Sequence, residues 1–153
     1  ITGNAETWGE TKSQDYVTIM FGFHEMPPDA WRRIVSNAKR IARKKVIIAD
    51  IDPDYMPSEE MSKGEPYVFV YKEKVMDVME DMGVSRVKSV IRDHVRMWIF
   101  EDFENEKVPT IEELQEVRIK ELPMLDAKKE RQEARDRMRD VSGYEYEAEN
   151  DMF

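Results

Sequence analysis

The sequence predicts an α/β fold in which helices flank a mainly parallel sheet. A β-rich run at residues 16–21, an amphipathic segment at residues 27–42 and a second β-rich run at residues 46–49 follow one another along the chain. A strand, a helix and a strand in this order form a right-handed βαβ unit, so both strands end at the same edge of one sheet. Because α/β proteins bind ligands at that edge, residues just after the two strands are the first site candidates.

The first predicted strand, residues 16–21, is rich in β-branched and aromatic residues and lacks strict alternation, which is typical of a strand buried on both faces. The helix begins at Pro27-Pro28-Asp29, since proline suits the first helical turn and an acidic residue there favours the helix dipole. Apolar residues then recur at three- and four-residue spacing. The predicted polar face is basic and consists of Arg32, Arg33, Lys39 and Arg40.

Downstream of the second strand, residues 53–66 form a loop long enough to act as a lid. A second helix is predicted over residues 67–82 and ends at Gly83. The β-rich runs 87–91 and 95–100 predict an antiparallel hairpin. We therefore expect residues 1–103 to form one domain and residues 104–153 to form an acidic tail that is partly helical or disordered.

The charge distribution restricts the classes of partner. Residues 1–100 carry 16 acidic and 15 basic side chains, whereas residues 101–153 carry 17 and 9. A near-neutral globular part with an acidic tail lacks the clustered basic face that nucleic acid requires, so we expect no nucleic-acid partner. The sequence does not indicate an oligomeric state.

The absence of cysteine excludes disulfides and thiolate metal sites. It suits a reducing compartment, either the cytoplasm or an organelle lumen or stroma, although a targeting segment is not observable. No apolar run reaches the length of a membrane span, so we expect a soluble protein without one.

Two segments carry a resemblance to a known family. Residues 4–6 read Asn-Ala-Glu, and after a short polar connection residues 15–27 read DYVTIMFGFHEMP. Residues 49–52, Ala-Asp-Ile-Asp, follow the second strand. Together with the order of elements, these segments resemble class I S-adenosylmethionine-dependent methyltransferases, especially those of ubiquinone and menaquinone biosynthesis.

The resemblance implies a truncated Rossmann-like methyltransferase fold that contains the C-terminal half of the sheet. The two predicted strands would be the parallel strands 4 and 5 of the family, and the hairpin would be strands 6 and 7, with the seventh antiparallel. The family's glycine-rich turn and the acidic residue that holds the ribose cannot be placed in this sequence. Since the chain begins with Ile1, we expect both to lie upstream. An isolated fragment would then expose an apolar edge and be unstable or aggregate.

The resemblance also implies S-adenosyl-L-methionine as cofactor and assigns contacts with its adenine. Asn4 would exchange a hydrogen bond with the adenine amino group, and Ala5 would offer its backbone N–H to a ring nitrogen. An ordinary turn is the alternative interpretation of these residues.

Four residues at the end of the first strand would contact the rest of the cofactor through backbone and apolar surface: Met20, Phe21, Gly22 and Phe23. Gly22 either allows a close approach of backbone to the cofactor or simply terminates the strand.

His24 follows directly and is the candidate catalytic residue, because a histidine can accept a proton near neutral pH if the acceptor must lose one. A surface or packing role is the alternative. The alternating carboxylates Asp50, Asp52 and Asp54 could bind a cation, but the sequence lacks the glycine and distal glutamate of a calcium loop and Pro53 interrupts the pattern. We therefore predict no metal site.

These observations predict methyl transfer from S-adenosylmethionine to a small-molecule or lipid-like acceptor, with this fragment inactive alone. Tyr67, Phe69 and Tyr71 could wall an acceptor pocket or simply pack in the core. The alternative function is a non-enzymatic α/β interaction module whose acidic tail binds a basic partner. A nucleotide-dependent enzyme of another kind is disfavoured, because the sequence has neither a phosphate loop nor a nucleophile elbow.

Overall fold

A computed structural model describes residues 3–103, 107 and 109–114 of the chain. The charge-rich sequence of residues 128–141 predicts a solvated helix and the acidic residues after it predict disorder, but both segments lie outside the described residues. Most of the proposed acidic tail lies outside them as well, so the predicted division at residue 103 stays a prediction.

Four strands form one sheet in the order β1-β2-β4-β3. The strands are β1 (Gln14–Met20), β2 (Ala42–Ile51), β3 (Arg86–Ile91) and β4 (Val95–Phe100). β1 is parallel to β2, while β4 is antiparallel to both β2 and β3. The mixed α/β fold class is therefore confirmed, with two parallel strands, an antiparallel hairpin and flanking helices.

Within residues 14–100, α-helices and a short 3₁₀ turn accompany the sheet. They are α1 (Pro28–Ile41), α2 (Glu59–Gly64) and α3 (Val68–Asp81), with the 3₁₀ turn at Phe23–Glu25 between β1 and α1. Apolar side chains of α1 and α3 join those of β2 and β4 in a single buried cluster. The helices and the sheet thus hold the ends of β1 and β2 in fixed relative positions.

The chain reversals and connections differ in how well the sequence predicted them. Gly83 has a φ of +74° and ends α3 as predicted, because glycine adopts the left-handed conformation without steric cost. In the hairpin turn Asp93 takes this conformation, with a φ of +57°. The loop predicted over residues 53–66 contains α2, whose first turn is capped by the hydroxyl of Ser58 accepting the Met61 N–H at 3.2 Å. Six residues are too few to produce a periodic apolar signal.

Four basic residues were predicted to lie on an exposed polar face of α1, and for three of them this prediction is wrong. Arg33, Lys39 and Arg40 are at most 5% exposed, because the loop before β1 covers Arg33 and Arg40 while Lys39 faces the end of α3. Arg40 donates to the backbone carbonyls of Trp8 and Gly9 at 3.3 and 2.7 Å. Arg33 pairs with the carboxylates of Glu6 and Asp29, and the Lys39 ammonium donates to the backbone carbonyl of Met82 at 2.8 Å. These buried cations fasten the preceding loop and the end of α3 to α1.

β1 is parallel as predicted, but the prediction that it is buried on both faces is wrong. Its residues alternate between exposed and half-buried, and Tyr16 and Met20 are each 54% exposed. Among the described strands only β2 pairs with β1, so β1 forms one edge of the sheet. An edge strand with exposed apolar side chains can pair with a second chain.

We predict that the purified chain self-associates through the β1 edge and that the Tyr16→Lys variant shifts it toward monomer. A lysine on an edge strand opposes pairing through charge repulsion and desolvation. Sedimentation velocity over a range of protein concentrations measures the effect.

Val90→Lys is the matched control, because Val90 is 52% exposed and lies in β3 at the opposite edge. A monomeric wild-type chain with a sharp thermal transition, or an equal effect of both variants, would contradict the prediction.

Trp31 of α1 secures the connection between β1 and α1. Its side chain is fully buried, and its Nε1–H donates to the backbone carbonyls of Phe23 and Met26 at 2.9 and 3.1 Å. The ring stacks on Phe23 and meets Tyr71 edge to face. Trp98 in β4 is equally buried, but among the described residues its Nε1–H has no hydrogen-bond acceptor.

Replacing either tryptophan by phenylalanine removes a similar side-chain volume, so the two variants differ mainly in the hydrogen bonds that are lost. We expect Trp31→Phe to lower the free energy of unfolding by about 1–3 kcal/mol more than Trp98→Phe, since only the first leaves buried carbonyls with fewer donors. Chemical denaturation monitored by circular dichroism measures both variants. Equal losses would mean that the Trp31 hydrogen bonds contribute nothing beyond packing.

Candidate functional site

The carboxylate of Asp50 joins the ends of the two parallel strands. Asp50 lies near the end of β2 and is fully buried. One oxygen accepts the Phe23 N–H at 2.7 Å, and the other accepts the N–H of Ile51 at 2.7 Å and lies 2.5 Å from Nδ1 of His24. Three donors therefore converge on one carboxylate, which compensates the cost of burying its charge.

His24 lies in the 3₁₀ turn after β1 and is 5% exposed. Because Nδ1 donates to Asp50, the other ring nitrogen, Nε2, points away from β2. Nε2 lies 3.4 Å from Oε2 of Glu65 and 3.9 Å from Oε1 of Glu25. The ring also meets Tyr71 edge to face, with a centroid distance of 6.1 Å. The imidazole is thus held between three carboxylates in a largely buried position.

Two pKa values reflect this environment. Burial by itself lowers the pKa of His24, but the hydrogen bond to Asp50 and the charges of Asp50, Glu65 and Glu25 outweigh it, so the pKa is raised above the ordinary value of 6.5. Burial, with the nearby Asp50 and Asp52 charges, raises the pKa of Tyr71 well above its ordinary value. Tyr71 is therefore a neutral donor, and its hydroxyl donates to the Ile51 carbonyl at 2.6 Å.

The other two aspartates of the alternating motif face a different partner. The Arg96 guanidinium, from β4, lies 2.9 Å from Oδ1 of Asp52 and 3.0 Å from Oδ2 of Asp54. Lys72 of α3 donates to the backbone carbonyls of Pro53 and Tyr55 in the same loop. The three aspartates therefore separate into two groups, one facing His24 and one facing Arg96.

The predicted adenine contacts lie in a turn that is pinned to α1. Oδ1 of Asn4 accepts the Glu6 N–H at 3.0 Å, so the side chain stabilises its own turn. The Asn37 amide donates to the backbone carbonyls of Ala5 and Trp8 at 2.8 and 3.0 Å. Ala5 also lines a groove of about 450 Å³ between β1 and α1. Asn4 and Ala5 thus lie in a turn, and Ala5 borders the groove.

At the end of β1, the bend of the backbone occurs one residue earlier than the glycine suggests. Phe21 has a φ of +50° and is 50% exposed, whereas Gly22 has a φ of −127°. A Cβ on Gly22 would make only ordinary contact with Met26, at 3.4 Å. A bulky residue in the left-handed region costs about 1–3 kcal/mol, and such residues concentrate at functional sites.

Met20 and Phe23 are the other two residues predicted to contact the cofactor. The Met20 side chain is exposed, whereas the Phe23 side chain is buried. The Phe23 side chain is fully buried, its N–H is bound by Asp50, and its carbonyl accepts from Trp31. Any contact of Phe23 with a ligand would have to compete with these bonds. Met20, at 54% exposure, can present apolar surface directly.

Sequence reasoning identified His24 and Asp50 separately but missed their pairing and missed Glu65. The pairing had a usable signal, because the carboxyl ends of two parallel strands meet at one edge. No sequence signal pointed to Glu65, since it follows α2 in a segment without apolar periodicity. Of the aromatic residues considered for an acceptor pocket, Tyr71 is fully buried and packs in the core.

We predict that His24 makes folding stability dependent on pH. Because its pKa is raised in the folded state, its contribution is complete below the ordinary value of 6.5 and is lost as pH rises through the raised pKa. The difference in the free energy of unfolding between wild type and His24→Gln should therefore decrease with rising pH. Both proteins are measured with a metal chelator present, so that only protons bind to His24. The facing charged groups are Asp50, Glu65 and Glu25. Parallel stability profiles of the two proteins would contradict the prediction.

Comparisons with known proteins add a fold-level similarity. No family model matches the sequence, and no curated protein sequence matches it. The structure is similar to a SAM dependent methyltransferase from Aquifex aeolicus, with 21% sequence identity and a TM-score of 0.43. The similarity covers 65% of this chain and 52% of that protein, so the chain spans about half of its length. Similarity at this level assigns neither a family nor an activity.

Within residues 3–103, 107 and 109–114, no helix combines the length and the apolar character needed to cross a bilayer.

Proposed function

We propose that this chain is the C-terminal part of an enzyme that transfers a methyl group from S-adenosylmethionine to a small-molecule or lipid-like acceptor. The observation that carries the proposal is the end of β1, where the left-handed Phe21 leads directly into the buried His24–Asp50 pair. A strained backbone beside a charged pair, at the carboxyl edge of parallel strands, is typical of a ligand site in an α/β protein.

The topology supports the proposal. Two parallel strands, β1 and β2, precede a hairpin whose last strand, β4, lies antiparallel beside β2. This is the arrangement that the sequence resemblance implies for the last four strands of a class I methyltransferase.

The residues of the predicted adenine turn are chemically suited to that role. With Oδ1 of Asn4 bound to the Glu6 N–H, the Asn4 amide retains two N–H donors and one acceptor position. Adenine presents a donor beside an acceptor, and Asn4 with the Ala5 backbone N–H offers the complementary pair. Trp8 and Tyr16 line the adjoining groove and supply apolar surface.

The role of this chain in the reaction would be alignment and proton handling. The cofactor supplies an activated methyl group on a sulfonium, and transfer is an in-line displacement that requires accurate positioning of the acceptor. His24 is the candidate proton acceptor. Glu65, just after α2, lies against its Nε2, so a substrate reaches this nitrogen only if the Glu65 carboxylate moves aside. Glu65 belongs to the segment predicted from sequence to act as a lid.

The test begins with the coding sequence upstream of Ile1. We expect a strand followed by Gly-x-Gly and a second strand ending in an acidic residue, and the longer polypeptide should bind S-adenosylmethionine in calorimetry. Asn4→Ala should weaken that binding up to about tenfold, the worth of one hydrogen bond. Glu10→Ala, at an exposed position of the same loop, is the control.

A stop codon or an initiator immediately upstream, or unchanged binding in the Asn4 variant, would contradict the proposal. Absence of cofactor binding together with capture of a basic partner by the acidic region would instead support a non-enzymatic interaction module. The excess of acidic over basic residues in residues 101–153 is the feature that favours this second candidate.

A further inference from the structure

We propose that His24, Glu25 and Glu65 bind one divalent transition-metal cation of the zinc class, with an open coordination position. One ligand atom from each residue, the imidazole nitrogen and two carboxylate oxygens, lies within 4.8 Å of the others. The inference does not depend on the proposed methyl transfer. The prediction of no metal site concerned the alternating aspartates. No sequence pattern marks this cluster, because Glu65 is remote from the other two residues along the chain.

The hydrogen bond between His24 and Asp50 prepares the imidazole for a metal. Histidine ligands in metalloproteins usually donate their second ring N–H to a carboxylate, which fixes the tautomer and increases the basicity of the ligating nitrogen. Here Nδ1 donates to the buried Asp50 at 2.5 Å, so Nε2 is the nitrogen directed toward Glu65 and Glu25. Asp50 would thus act as a positioning residue.

Glu65 supplies an oxygen whose bonding is incomplete. Its Oε2 atom is buried and, among the described residues, has no hydrogen-bond donor. When Nε2 of His24 carries no proton, this oxygen faces a second lone pair and has no donor, and a coordinated cation would satisfy both atoms. The same oxygen is the one that lies 3.4 Å from Nε2 of His24.

The spacing agrees with tetrahedral coordination. Two ligand atoms at zinc distances of about 2.1 Å are separated by roughly 3.4 Å. The Nε2–Oε2 distance of 3.4 Å already has this value, and Oε1 of Glu25, at 3.9 Å from Nε2, requires only a small side-chain movement. The Glu25 side chain is 64% exposed and free to make it.

The donor set selects the class of ion. An imidazole nitrogen favours zinc and its neighbours over magnesium and calcium, which prefer all-oxygen sites. Three protein ligands leave a fourth position for water or a substrate oxygen, as in catalytic zinc sites. The aspartates near Arg96 are less available to a cation, since Asp52 and Asp54 already share its guanidinium.

Calorimetric titration of the EDTA-stripped, dialysed protein with Zn²⁺ and separately with Mg²⁺ tests the proposal. We expect one Zn²⁺ per chain, a raised melting temperature in its presence and much weaker Mg²⁺ binding. His24→Gln, Glu25→Gln and Glu65→Gln should each weaken Zn²⁺ binding at least about tenfold, and Asp50→Asn should weaken it about 10–100-fold.

His94→Gln and Glu60→Gln are the matched controls. His94 is the other of the two histidines, and Glu60 is an exposed glutamate of α2. Glu25→Gln keeps the test informative if the buried variants fail to fold, because Glu25 is exposed. Unaltered zinc affinity in the Glu25 and Glu65 variants, a loss of binding in His94→Gln, or binding of Mg²⁺ alone would overturn the proposal.

Discussion

The buried carboxylate of Asp50 is the interaction on which the site depends. It binds the backbone of the turn after β1 through the Phe23 N–H and orients His24 through Nδ1. A charge in this position is tolerated only because several donors satisfy it, and removal of His24 would leave part of that buried charge uncompensated. The geometry at the ends of β1 and β2 is therefore set by electrostatics as much as by apolar packing. Trp31 supports the same turn from the helix side.

Buried polar contacts also organise the surroundings of the site. Arg40 and Asn37 attach the loop that precedes β1 to the surface of α1 by donating to its backbone carbonyls. Lys72 likewise attaches the loop after β2 to α3 by donating to two of its backbone carbonyls. Residues 4–12 and 53–58 form no helix or strand that could satisfy these carbonyls, so side-chain donors from the helices replace the missing backbone partners. The loops that carry the candidate ligand contacts are thereby held in defined positions on a helical scaffold.

Glu65 brings a carboxylate from the segment after β2 into contact with His24. It follows α2, the short helix in the segment between β2 and α3, and covers Nε2 of His24. The same carboxylate can shield the imidazole from substrate or share a cation with it, and both roles depend on the position of one short segment. α2 has six residues, so it is a less stable element than the longer α1 and α3.

The sequence by itself determined the type and order of the main elements, because apolar periodicity, proline at a helix start and glycine at a helix end are local properties. It also identified His24 and the Asp50 segment, since both directly follow parallel strands. Only the tertiary structure decided the exposure of β1, the burial of Arg40 and the approach of Glu65 to His24. These features depend on how irregular loops cross the helices and on which strand edges find partners. Contacts of this kind join residues distant in sequence and leave no periodic pattern in it.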